Sequence, residues 1–331
     1  STTLPHPPFF TEPTWADRFP PDDLALAPSY YQETFATKPP FQREHVGDGG
    51  HGAYAEAAQR AELAQYYQSV SRIDQGIGRL VKILKEANKW EDTLFFFISD
   101  HGIAMPGAKT TLYEGGMRSP CLVRNPYLKK RGIATDAMVS WVDLAPTILQ
   151  FAKVLDDKGK LSSATAQSLG KAKIKGEQNG RALTPGKFHG RSFLPVLDQE
   201  KTSGWDQVNA SHTFHEITMY YPMRVVRERR YKLIWNIAWR QPYPFASDLW
   251  AASTWQAQYA KGPKARYGNR TVDSYINRPR FELYDISSDP SETRNLAADP
   301  EFAKVLTAYQ DKLKAMQKRT EDPWIMKWRY E

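Results

Sequence analysis

Cysteine is almost missing from these 331 residues: Cys121 is the only one. A lone thiol excludes an intrachain disulfide and any multi-cysteine metal cluster. Long apolar runs are missing too. The longest candidate, Leu94 to Ile98, falls far short of the roughly 20 residues needed to cross a bilayer, so no transmembrane segment is expected. There is no internal repeat and no block of like charge. Lys and Arg number 45 against 37 Asp and Glu, and the net charge of +8 is spread along the chain. That excess favours anionic partners at long range, but nothing resembles a nucleic-acid-binding motif, and nucleic acid is not expected as a partner. The opening Ser1-Thr2-Thr3-Leu4 has neither a charged nor an apolar signal region, so the compartment has to be inferred indirectly.

What is present is an ordinary globular composition, 41% hydrophobic and 25% charged. The length suits one large domain with a smaller one attached. From Leu4 to about Gly52 the chain is rich in Pro, Phe and Gly, which reads as a long structured loop. Between Tyr54 and Asn88, Leu63, Tyr66, Tyr67, Val70, Ile73, Ile77, Leu80, Val81 and Leu84 recur at steps of three and four. That spacing predicts a long amphipathic helix lying against a sheet. Thr93 to Ile98 is a continuous β-favouring run, predicting a strand buried on both faces of a parallel sheet. Pro120 to Arg124 predicts another strand and Trp141 to Lys153 a helix.

This alternation predicts an α/β fold, a mixed, mostly parallel sheet flanked by helices. Asp156–Lys187 is poor in apolar residues and reads as an exposed insertion. Farther on, Arg224–Arg227 and Tyr231–Trp235 flank a hairpin turn, Phe281–Asp285 reads as a strand and Pro300–Lys318 as a helix. These predict a smaller C-terminal antiparallel sheet backed by a helix, dividing the chain into 1–200 and 201–331.

The segment richest in chemistry is Ser99-Asp100-His101-Gly102, at the end of the Thr93–Ile98 run. Ligands of open α/β sheets bind outside the carboxyl ends of strands. Asp100 offers a hard oxygen donor, His101 a nitrogen, and Gly102 a sharp backbone turn. A helix cap or a surface turn would explain the pair equally well. Shortly downstream comes Gly107-Ala108-Lys109-Thr110-Thr111-Leu112-Tyr113-Glu114-Gly115-Gly116-Met117-Arg118-Ser119-Pro120.

Strand-Ser-Asp-His-Gly followed in order by Lys-x-x-x-Tyr-Glu-Gly-Gly-x-Arg-x-Pro resembles the sulfatase family. Leu4-Pro5-His6-Pro7-Pro8-Phe9 is similar to that family's post-strand histidine segment. Glu282-Leu283-Tyr284-Asp285 with Asp289 to Ala297 is similar to its C-terminal signature. Gly190–Pro195, Ser211–Arg224 and Glu321–Trp324 most resemble its heparan N-sulfatase (sulfamidase) branch.

The resemblance implies an α/β sandwich of the alkaline phosphatase-like kind, acting on a sulfate ester or N-sulfate of a sulfated glycan. It implies Asp100 and His101 as two ligands of a divalent cation, Ca²⁺ in most members. The imidazole of His101 leaves Mn²⁺, Mg²⁺ or Zn²⁺ open. It implies His6 and Lys109 as catalytic groups on the sulfate, and it suggests Arg118, His215, Glu216 and Arg224 as substrate contacts. For His215, Glu216 and Arg224, a buried ion pair or a solvated hairpin edge is an equal alternative.

The family's nucleophile is a formylglycine made within Cys/Ser-x-Pro-Ser-Arg, and no such motif occurs here. It is expected in a segment outside these residues, along with the remaining metal ligands. The expected compartment is periplasmic, secreted or lysosome-like, with the oligomeric state open. Two other readings stand beside this one: a phosphonate monoester or phosphodiester hydrolase of the same superfamily, and a truncated, non-catalytic relative that binds sulfated glycans.

Overall fold

In the computed structural model, residues 18–25, 56–102, 107–165, 188–215, 219–246, 249–250, 253–267 and 270–330 are described. Most of the expected N-terminal loop and residues 166–187 of the expected insertion lie outside them. The chain divides into two compact units. One comprises Ser1–Asp92, Gly102–Lys109 and Phe245–Asn277; the other comprises Thr93–His101, Thr110–Pro244 and Arg278–Glu331.

In the first unit the predicted long helix forms as α1, Glu56–Glu86. It ends at Asn88, whose φ of 54° is the left-handed stop that asparagine tolerates, and Lys89 N–H donates to Leu84 O at 2.8 Å. Of its predicted apolar face, Tyr66, Ile73, Ile77, Val81 and Leu84 are half-buried, while Tyr67, Val70 and Leu80 are exposed. Its described packing is onto Pro21–Asp23 and Trp90–Asp92, with the Phe19 and Tyr67 rings 5.7 Å apart. The Phe245–Asn277 part gathers aromatic rings around the fully buried Trp255, with Phe245 at 4.3 Å, Tyr267 at 5.7 Å and Tyr275 at 5.9 Å.

In the second unit the Thr93–Ile98 run becomes β1, Phe95–Ile98, and its described partner is β2, Cys121–Arg124. They pair antiparallel, Phe96 opposite Val123, which differs from the parallel sheet predicted. The pair is half-buried. Phe96 and Val123 pack on a cluster of Phe193, Val196 and Trp205, while Leu122 is 64% exposed. A short apolar run looks the same whether one or both faces are covered, so pattern alone could not distinguish the two cases. A turn at Trp141–Asp143 leads into the helix Leu144–Phe151.

The C-terminal prediction is met closely. Strands β3 (Gln207–His215), β4 (Met219–Glu228), β5 (Tyr231–Asn236) and β6 (Phe281–Asp285) form an antiparallel sheet in that order. Helix α2, Ala303–Arg319, lays Tyr309, Leu313 and Met316 onto Val226, Leu233, Trp235 and Leu283. Each large side chain buried in this way contributes roughly 1.5–3 kcal/mol. A register shift between His212 and Phe214 breaks the β3–β4 ladder, and such a bulge re-aims the residues beyond it.

Candidate functional site

Asp100 and His101 leave the carboxyl end of β1. Asp100 Oδ1 accepts from His101 N–H at 3.0 Å, and Oδ2 lies 3.6 Å from His101 Nε2. The turn is fixed from behind: Ser99 Oγ donates to His101 O at 2.8 Å and Trp141 Nε1 to Asp100 O at 3.3 Å. The Asp100 side chain is 85% exposed and that of His101 38%. A carboxylate oxygen and an imidazole nitrogen on adjacent residues fit a divalent cation as two of its donors. Among the described residues no cluster of three or more His, Cys, Asp or Glu completes a coordination shell.

Lys109 belongs to the other unit and is buried. Lysine is almost never fully buried unless paired, so its placement is a built feature rather than a solvated side chain. Gly107, two residues before it, has φ +87°, and a Cβ there would stand 3.0 Å from the Tyr275 hydroxyl. Only glycine suits that turn. Arg118 is exposed at the end of the helical turn Glu114–Met117. His6 and Glu216 lie outside the described residues.

Among the remaining expected substrate contacts, Arg224 is a buried ion-pair partner. Its Nε and Nη2 donate to Asp322 at 2.6 and 2.9 Å, and Nη1 donates to Met223 O and His212 O at 2.8 and 3.2 Å. All its donor groups thus serve the fold. Burial alone would raise the Asp322 carboxyl, but hydrogen bonds from Arg224 and Gln317 and the Arg224 charge hold it below its ordinary value. His215 is half-buried at the end of β3. Nearby on the same strand, burial pushes His212 down, against a hydrogen bond to Tyr221 O at 3.1 Å.

The structure also brings together residues not singled out in the sequence. Lys232, fully buried on β5, lies 3.2 Å from Glu114 and 2.8 Å from Glu292. Arg227 makes a two-pronged pair with Glu114 at 3.2 and 3.1 Å. Burial would raise Glu114, yet Arg227 and Lys232 outweigh it and hold the carboxyl low, whereas burial prevails at Glu292 and pushes it up. The signal was there in Tyr231-Lys232-Leu233-Ile234-Trp235: a cation in the middle of a core strand needs partners. Gly190 has a packing reason. A Cβ there would stand 2.2 Å from Val142 O, next to Asp143, whose Oδ1 accepts from Arg191 N–H at 2.8 Å.

Residues 5–154 carry a domain that matches the family described as Sulfatase. The chain is 37% identical to N-sulphoglucosamine sulphohydrolase of Homo sapiens over 81% of this chain and 50% of that protein. It is 25% identical to an ulvan-active sulfatase of Formosa agariphila over 80% of this chain and 38% of that protein. The chain thus spans half or less of the length of these curated relatives. Among solved structures it resembles a phosphonate monoester hydrolase of Silicibacter pomeroyi, with TM-score 0.57, 18% identity, and coverage of 97% of this chain and 55% of that one. At that identity the likeness shows the fold alone.

Proposed function

We propose that the protein to which this chain belongs hydrolyses the sulfate ester or N-sulfate of a sulfated glycan, an N-sulfoglucosamine residue of heparan type being the favoured substrate. The observation that carries the reading is the exposed Asp100–His101 pair at the end of β1, inside an extended motif that ends at Pro120. The 37% identity to a sulfohydrolase acting on N-sulphoglucosamine supports that substrate class.

In this reading Asp100 and His101 hold a divalent cation, Ca²⁺ in the first instance, with Mn²⁺, Mg²⁺ or Zn²⁺ as alternatives. When bound, the cation would neutralise charge on the sulfate oxygens, and a formylglycine from outside these residues would supply the attacking oxygen. The residues of this chain bind and orient. Lys109 and His6 direct positive charge and donors to the sulfuryl oxygens, where preorganised charge is most effective. Arg118, His215 and Glu216 contact the sugar and its anionic groups. A periplasmic, secreted or lysosome-like compartment goes with this substrate, and no described helix is long and apolar enough to cross a membrane. The division into 1–200 and 201–331 also belongs to this reading: the four-stranded sheet lies wholly in the second part, although the compact units of the chain cross residue 200.

The test is turnover by the full-length gene product, offered N-sulfoglucosamine, a 6-O-sulfated glucosamine and an aryl phosphonate in parallel. Release of sulfate from either sugar supports the reading. Hydrolysis of the phosphonate alone would replace it with the phosphonate monoester hydrolase alternative, and sulfated-glycan binding without turnover would favour a non-catalytic relative.

A further inference from the structure

Thr110, the residue after Lys109, sits at φ 64°. The left-handed region is unfavourable for a β-branched residue, and such strain persists only where surrounding contacts over-determine it. Those contacts are present. The Tyr243 hydroxyl donates to Thr110 O at 2.8 Å and lies 3.2 Å from Thr110 Oγ1. Tyr243 is itself held, with its ring 5.1 Å from Tyr221 and the Arg278 guanidinium 3.5 Å above it. Three residues on, the Tyr113 hydroxyl donates to Glu282 at 2.8 Å. Glu114 N–H then donates to Glu292 Oε2 at 2.6 Å, while the Glu114 carboxylate takes Arg227 and Lys232. Glu292 is a second non-glycine in the left-handed region, φ 54°.

We propose that Tyr243, Glu114, Lys232 and Glu292 are positioning residues that lock the strained turn at Thr110 and thereby fix the direction in which the chain presents Lys109. A turn held open by one tyrosine hydroxyl and anchored by a buried four-charge cluster is a costly way merely to connect two segments. An interaction fixed before substrate arrives is what charge stabilisation of a transferring group requires. The inference rests on the proposed role of Lys109 in sulfate hydrolysis.

The test uses full-length enzyme and the substrate that it turns over best. Tyr243→Phe removes one oxygen and keeps the ring. It should lower kcat on the order of 10-fold to 100-fold, as small misplacements do, with KM within about twofold and the folded fraction unchanged by circular dichroism. Thr110→Gly placed on that variant lets the turn adopt positive φ without the hydroxyl and should recover part of kcat. Lys232→Met should lower kcat in the same way, and Glu292→Gln added to it should restore some of the loss by removing the unbalanced carboxylate.

Tyr243→Phe or Lys232→Met with unchanged kcat, or with losses that track only the unfolded fraction, would overturn the proposal. Lys109→Met separates it from its premise. If that variant keeps full kcat, the role of Lys109 is wrong; if it is inactive while the other variants are unaffected, only the positioning role is wrong.

Discussion

Removing the Arg224 guanidinium should destabilise the C-terminal sheet more than almost any other single charge deletion. The Arg224 and Asp322 side chains are each 7% exposed, and the pair is bidentate. In Arg224→Ala the Asp322 carboxylate keeps only Gln317 Nε2 at 3.0 Å and Trp324 N–H at 3.2 Å. The Met223 and His212 carbonyls also lose a donor. Stranding one partner of a buried pair costs about 3–5 kcal/mol. For a unit of roughly 200 residues each kcal/mol moves the thermal midpoint about 2–4 °C, so the fall should be about 6–20 °C.

Arg224→Lys keeps a charge but not the fork, and should cost about 1–3 kcal/mol. The Asp322 carboxyl is held below its ordinary value, so its stabilisation is complete above about pH 4 and is lost as pH falls through the folded value. The gap between wild type and Arg224→Ala should therefore narrow under acid. Thermal melts at pH 7 and pH 3, with the Asp322→Ala partner completing a double-mutant cycle, measure all of this. A midpoint shift under about 3 °C in Arg224→Ala, or additive single costs in the cycle, would refute the reasoning, since contacting residues should couple by about 0.5–3 kcal/mol.

Gly190→Ala should cost about 3 kcal/mol or more, because its Cβ would stand 2.2 Å from a backbone oxygen rather than a movable side chain; a thermal melt within 2–3 °C of wild type would mean the two segments part easily. Asp100→Ala should abolish divalent-cation binding by titration calorimetry, and turnover with it, while leaving the metal-free melting curve unchanged, because this side chain is largely exposed. Retained cation binding would remove Asp100 from the site. Cys121→Ser should leave turnover within about twofold. Its thiol, pushed up by burial, should react slowly with a disulfide reagent at pH 7; fast labelling would contradict the placement.

The elements legible in the sequence are those whose partners lie close along the chain. The β4–β5 hairpin turns at Arg229-Arg230, and α2 buries Tyr309, Leu313 and Met316 against the sheet that it was expected to back. The α1 helix was equally legible as an element, but periodicity shows only that it has an apolar face, not what covers it. The direction of pairing at β1 was not legible for a related reason. A run such as Phe95-Phe96-Phe97-Ile98 shows apolarity, while direction of pairing depends on a partner, β2, that begins 23 residues after β1 ends.

The site divides along the same line. Asp100, His101 and Lys109 stand out in the sequence because motif order is a local property of the chain, whereas Glu114 and Glu292, 178 positions apart, meet only in the folded chain, bonded to each other and to Lys232 of β5. Glutamate in a glycine-rich turn looks like a solvated residue, and nothing in its own neighbourhood says otherwise. The informative residue is Lys232. One cation on a core strand demands at least one buried carboxylate, and the structure supplies two, one from the motif after Lys109 and one from the C-terminal signature. The two most recognisable stretches of the chain are joined directly, at Tyr113 to Glu282 and Glu114 N–H to Glu292, and also share a lysine that neither of them contains, which is why changing Lys232 perturbs both at once.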